Sequence, residues 1–167
     1  LGYSECNLIQ VPIYMQFKLV LNDTFDKYNC GEFDKKENDT ISVSKSNFSH
    51  ETDEVNVMIS DTYPLSLSQL PEIKKNIPTL LISRNNTNDV NRYDSPELVR
   101  CVVNEVRSLN NNIKKVNVYA TTNPLNTKNI ASSAFKLGGR DNFNEVRVFQ
   151  QERDGIRKFN NKGIVVY

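Results

Sequence analysis

Four short polar stretches hold the residues of this chain whose types and spacing suit a chemistry. They are Ser60-Asp61-Thr62, Arg84 within Ser83-Arg84-Asn85-Asn86, Thr121-Thr122-Asn123, and Gln150 to Arg153. Each follows a compact apolar run. Hydroxyls, carboxamides and backbone N–H groups at the end of a strand, with a guanidinium that can grip a phosphate bidentately, suit a phosphate-bearing ligand. Bond-breaking has thinner support. The one histidine, His50, stands in a Ser-rich stretch that suits a solvated side chain, so a Ser-His-Asp, Cys-His or His-based metal site would rest on it alone. No P-loop, G-x-G-x-x-G, G-x-S-x-G or H-E-x-x-H occurs. Asp53 and Glu54 precede a strand, and Glu152 and Asp154 flank a turn, so neither pair converges as an acid and a base. No catalytic set, metal or cofactor is expected.

Each stretch also has a plain structural reading. Ser60-Asp61-Thr62 serves equally as a turn or cap, Arg84 as a solvated loop arginine, and Thr121-Thr122-Asn123 as a helix cap. Gln150 and Arg153 follow the carboxyl end of a strand and can wall a pocket. Parallel sheets bring such loops to one edge, which favours binding for the set over any member alone.

The elements that must position them are legible along the chain. Val55 to Ser60, Thr79 to Ser83, Lys115 to Ala120 and Glu145 to Gln150 read as buried strands, and Gly163 to Tyr167 as a last one. Ser95 as cap, Pro96 at the first helical position, Glu97 at the dipole and the stripe Leu98, Val102, Val103, Val106, Leu109 predict a helix. Leu125 to Leu137 predicts another, stopped by Gly138-Gly139. Leu65 to Lys75 holds room for a short helix broken near Pro71. At the amino end, Ile13, Met15, Phe17, Leu19 and Leu21 alternate with polar residues and predict a half-buried strand over 11–21, followed by a polar excursion to Thr52. The fold class expected is α/β, a Rossmann-like three-layer sandwich with a mostly parallel central sheet and an additional N-terminal strand or hairpin. Residues 1–52 are expected to belong to the same domain as a core at 53–167.

Composition narrows the partners. A chain of 167 residues with 38% hydrophobic content can bury one proper core. Its net charge of +1 recommends neither duplex DNA nor an anionic membrane. No run approaches the ~20 apolar residues of a membrane span. Cys6, Cys30 and Cys101 form neither a disulfide framework nor a zinc cluster. The location expected is cytoplasmic. Leu1 is not an initiator Met, and an effector or membrane segment upstream, tethering the chain to the inner membrane, fits that beginning.

The order of these parts resembles a known family. An apolar strand ends in Ser; a polar insertion and a helix follow; then come Lys115-Val116-Asn117-Val118-Tyr119-Ala120, the Thr121-Thr122-Asn123-Pro124 loop, a helix with Ile130-Ala131, and Val146-Arg147-Val148-Phe149. This is similar to the carboxyl-terminal half of a SAVED domain, a relative of the CARF sensors, over roughly 53–167. Two departures are visible: one CARF-like half instead of two, and Asn126, Asn129 and Ala131 where the family's helix often carries a glycine near its start.

The resemblance implies a sensor of a cyclic di-, tri- or tetranucleotide in antiphage signalling, which forms homo-oligomers and activates a fused or associated effector without being the catalyst. It implies Ser60, Arg84, Thr121, Thr122 and Asn123 as polar contacts, with Tyr93 and Phe149 as stacking candidates. Two rivals stay open. One is a metal-free ring-nuclease-like phosphodiesterase, in which Thr121 or Thr122 positions a ribose 2′-hydroxyl; the other is a protein-interaction module.

Overall fold

Alternation along two neighbouring strands decides how the sheet faces. In β3 (Glu54–Ser60) Val55, Val57 and Ile59 enter the larger core, while Met58 enters a smaller core on the opposite face. In β6 (Lys115–Ala120) Val116, Val118 and Ala120 join the first core and Tyr119 the second. The two strands run parallel with Val55 opposite Val116. The structure, a computed structural model, describes residues 11–22, 34–35, 39–49, 51–85, 93–135, 143–153 and 155–167. His50, Cys6, Cys30, Asp154, the Tyr93 side chain, the Gly138-Gly139 stop and most of the polar excursion lie outside the described residues.

Six strands build the sheet in the order β2-β4-β3-β6-β7-β8. β4 (Thr79–Arg84), β3, β6 and β7 (Glu145–Gln151) are parallel, as the buried runs predict. The edges are antiparallel: β2 (Ile41–Ser46) on β4 and β8 (Phe159–Val165) on β7. A small separate ladder joins β1 (Asp34–Lys35) to β5 (Tyr93–Asp94).

The crossovers follow from handedness. Parallel crossovers are right-handed, so connections that travel in opposite directions along the sheet must use opposite faces. From β3 to β4 the chain crosses on the Tyr119 face through 61–78. That segment contains two 3₁₀ turns, Leu67–Gln69 and Glu72–Lys74, separated by Pro71. Leu65 and Leu70 pack there with Met58, Tyr119, Phe149 and Phe159. The return uses α2 (Pro96–Arg107) to β6 and α3 (Pro124–Ile130) to β7, both on the other face. The third layer is therefore this crossover rather than a layer of helices. Beneath it Asn56 Nδ2 donates to the Lys74 carbonyl at 2.8 Å and to Thr79 Oγ1 at 3.1 Å, and the Tyr119 hydroxyl donates to Asn56 Oδ1 at 3.2 Å. The winding reverses between β3 and β6, and an α/β sheet opens a crevice at such a point, outside the carboxyl ends of its strands.

The amino end corrects one expectation. Residues 11–21 do not form a strand: α1 spans Ile13–Asn22 and buries Gln16, Phe17, Val20 and Leu21, a spacing of three and four. The segment is apolar at both periods, and Pro12 settles the choice. Its fixed φ starts a helix readily, and its carbonyl accepts from Met15 N and Gln16 N, each at 3.0 Å. The additional strand lies further on, at β2, inside the stretch expected to be an excursion.

Two further differences are smaller. The helix expected over 125–137 is α3 followed by a π-helical turn, Ala131–Phe135, where Ser132 Oγ donates back to the Lys128 carbonyl at 2.8 Å. The last strand begins at Phe159, and Gly163 sits where a Cβ would lie 2.3 Å from Arg147 Cγ, so the arginine stem crosses directly over it.

Candidate functional site

The loops leaving β3 and β6 are sewn together before any ligand is considered. Thr62 N donates to the Thr121 carbonyl at 2.9 Å, and Thr62 Oγ1 donates to the same oxygen. Thr121 Oγ1 donates to the Tyr63 carbonyl at 2.8 Å and accepts from Asp61 N at 3.2 Å. Ser60 Oγ also donates to the Tyr63 carbonyl, at 3.0 Å, and accepts from Leu65 N. Thr122 Oγ1 shares a hydrogen bond with Thr127 Oγ1. Asn123 caps α3: its Oδ1 accepts from Asn126 N at 2.8 Å, with Pro124 at the first helical position.

A buried charge cluster lies under these loops. Arg84, at the end of β4, is 1% exposed; its Nη1 meets Asp61 Oδ1 at 2.8 Å and its Nε lies 3.6 Å from Asp39 Oδ2. Asp61 Oδ2 accepts from Asn123 N and Asn126 Nδ2, each at 3.0 Å. Asn126 Oδ1 in turn accepts from Ser95 N at 3.0 Å, and Ser95 Oγ donates to Asp39 Oδ2 at 2.6 Å while capping α2. Burial pushes the Asp61 carboxyl above its ordinary 3.8, outweighing the hydrogen bonds from Asn126 and the Asn123 N–H and the charge of Arg84. The cluster fastens the ends of β3 and β4, the segment before β2, and the starts of α2 and α3.

Above the loops is an open cavity of about 200 Å³, at the winding reversal between β3 and β6. Thr62, Thr121 and Thr122 form its floor, Phe149 and Ile13 its apolar side, and Gln150 to Arg153 the wall supplied by β7. Tyr63 and Arg157 complete the rim, and the Arg157 guanidinium carbon stands 4.9 Å from the centre of the Tyr63 ring. Arg153 and Arg157 are exposed, whereas Thr121, Thr122 and Phe149 are buried. A second cavity, of about 260 Å³, lies at the amino ends of the strands beside Phe48, Leu80 and Leu109; its Lys45 is drawn to Glu105 at 3.6 Å. Among the described residues no cluster of His, Cys, Asp or Glu could hold a metal ion.

The strand-end stretches thus meet at one edge, but their side chains divide between two tasks. Thr62, Thr121, Thr122, Gln150 and Arg153 line the cavity. Ser60, Asp61, Asn123 and Arg84 lie beneath it or beside it, engaged with the protein. Arg84, taken from the sequence as a phosphate contact, is turned inward by two carboxylates. Phe149 stacks on Tyr119 at 4.7 Å in the smaller core. Sequence reading missed Tyr63 and Arg157. Tyr63 directly follows Ser60-Asp61-Thr62 and was within reach; Arg157 becomes a neighbour only through the β7–β8 hairpin.

The comparisons bear on this geometry. No curated protein is detectably similar in sequence to this chain. Among solved structures, the Acinetobacter baumannii Cap4 SAVED/CARF-domain containing receptor with the cyclic trinucleotide 2′3′3′-cAAA superposes with a TM-score of 0.50 at 12% identity, covering 76% of this chain and 27% of that one. The same receptor with 3′3′3′-cAAA gives 0.48 at 12% identity, over 76% and 28%. The chain thus spans little more than a quarter of these receptors' length, and at such identity the likeness concerns the fold alone, the Rossmann-like α/β fold that the sequence suggested. Among the described residues no helix is long and apolar enough to cross a membrane. A family profile matches residues 1–166, nearly the whole chain. By that match the chain belongs to the SUa-2TM family, the SMODS- and Ubiquitin system-associated 2TM effector domains.

Proposed function

We propose that this domain senses a cyclic oligonucleotide, which it binds in the cavity between the carboxyl ends of β3, β6 and β7. The observation that carries the reading is the placement of Tyr63, Arg153 and Arg157 around a cavity at the winding reversal of a SAVED/CARF-like sheet. Two exposed guanidiniums offer charge-assisted hydrogen bonds to phosphate. The tyrosine offers a base a flat face, and Gln150 and Gln151 bring carboxamides to the wall.

Size limits what the cavity takes. At about 200 Å³ it falls below the ~300–1,000 Å³ usual for a whole ligand. It fits one nucleotide of a ring, and the remainder would lie on the rim, open to a second copy of the domain. We accordingly read the domain as a homo-oligomerising sensor in antiphage defence, acting on an effector rather than on its ligand. The 2TM in the family name supports a membrane tether for that effector. Thr121 and Thr122, the residues a ring-nuclease would use, both spend their hydroxyls inside the protein, which favours sensing over cleavage.

A thermal-shift panel of cyclic di-, tri- and tetranucleotides tests the reading. A ligand at a hundredfold excess over its Kd stabilises the native state by about 2.7 kcal/mol, which moves the midpoint of a domain this size by several degrees. The expected result is a selective shift that Arg153→Ala reduces. A flat response across the panel would sink the proposal.

A further inference from the structure

Arg157 occupies a backbone conformation that a side chain seldom adopts. Its φ is +58°, close to the +59° of Gly155 in the same turn, although Arg157 has a Cβ to accommodate. The surroundings hold it there. Gln69 Nε2 donates to the carbonyls of Ile156 and Arg157 at 3.1 and 3.3 Å, Glu152 N donates to the Lys158 carbonyl at 2.9 Å, and Lys158 Nζ meets Glu72 at 2.8 Å. The product of that clamp is the guanidinium standing 4.9 Å from the Tyr63 ring centre, while the ring remains 45% exposed. One tyrosine face is thus backed by a cation whose backbone is held in place, and the ring still has open surface at the mouth of the cavity.

We propose that Tyr63 and Arg157 form a base-stacking platform for one purine of a nucleotide ligand. Stacking needs a flat, pinned π surface beside a cationic groove, and it favours the larger ring system. Arg153, exposed on the same cavity, is placed for the phosphate attached to that nucleoside. Lys45 over Phe48, 5.9 Å from the ring centre, pairs a cation with an aromatic ring at the other end of the sheet, and it serves as an internal control. The platform deepens the sensor reading and rests on it for its biological ligand, yet it can be tested with mononucleotides alone.

The experiment is NMR titration of the domain with AMP and UMP, followed by titration with a cyclic trinucleotide of adenosine. AMP is expected to perturb Tyr63 and the 155–158 turn and to bind tighter than UMP. Tyr63→Leu should weaken AMP roughly tenfold or more, and Phe48→Leu should leave it unchanged. Arg157→Gly relieves the left-handed backbone, so this variant keeps the wild-type melting temperature or exceeds it while losing the AMP site. The platform is overturned if AMP perturbs other residues or none, if UMP binds as tightly, or if Tyr63→Leu binds AMP unchanged. AMP on the platform with no cyclic ligand bound would uphold the platform and sink the sensor reading. A cyclic ligand bound with an affinity that Tyr63→Leu and Arg157→Gly leave unmoved would do the reverse.

Discussion

Arg84 marks the distance between a residue's type and its task. A guanidinium at the end of a parallel strand is well chosen for phosphate, and the sequence shows both the arginine and the strand. What it does not show is Asp39, which lies in a stretch without periodicity, or that Asp61 turns back beneath its own loop. The ion pairs take Arg84 to 1% exposure, and a charge so placed depends on its partners. Arg84→Gln leaves two carboxylates facing each other in a low-dielectric setting. The expected loss is about 3–5 kcal/mol, read from urea unfolding with an unchanged slope. A loss below about 1 kcal/mol would mean that the cluster is hydrated and does not hold the floor of the cavity. Ser95 and Asn123 illustrate the opposite case. Each is a small polar residue just before a proline and a helix, so local chemistry alone announced both caps.

Elements were legible where a single period dominates. β3, β4, β6 and β7 are short apolar runs between polar punctuation, and nothing in them suggests a helix. α1 is apolar at periods of two and of three to four, and Pro12 at its start together with packing against α3, β7 and the π-helical turn selects one. β8 was expected only from Gly163 and begins at Phe159, because the ties that shape its hairpin with β7 come from the distant crossover. Those ties carry a pH signature. Lys158, then Lys75, hold the Glu72 carboxyl down at about 2 from an ordinary 4.5. A group depressed in the folded state stabilises above its ordinary pKa and loses that contribution as the pH falls towards the lower value. Glu72 is exposed, so the effect is local and global stability should barely change. The amide resonances of Gly155 to Lys158 are expected to titrate with a midpoint near 2, and Glu72→Gln should remove the step. A midpoint near 4.5 would show that the turn is not tied to the crossover.

At the scale of the whole molecule, the first 52 residues test where the domain begins. They were expected to share a domain with 53–167 because a chain of 167 residues fits a single core. Phe17, Val20 and Leu21 of α1 are at most 2% exposed against the larger core, and β2 covers the outer side of β4. A chain cut to 53–167 would expose that core and strip Arg84 of Asp39. We expect it to lack a cooperative thermal transition and to bind a hydrophobic dye. Sharp melting of the shortened chain would place the boundary after β2 instead. The parallel pairing of the inner strands could be read from strands alternating with helical segments. The thin third layer could not, because the 61–78 crossover makes its contribution through two 3₁₀ turns and a few side chains.

The stitching of Thr62 to Thr121 also gives the cavity a grain. Two of its sides are riveted to each other and to the charge cluster below, so they move as a single block. The remaining side hangs from a turn that Gln69 and Glu72 grip by side chains alone. A guest at the open mouth would therefore meet one side fastened by backbone and one held through two side chains, so Gln69→Ala is expected to speed amide exchange in the 155–158 turn and leave that of Thr62 and Thr121 unchanged.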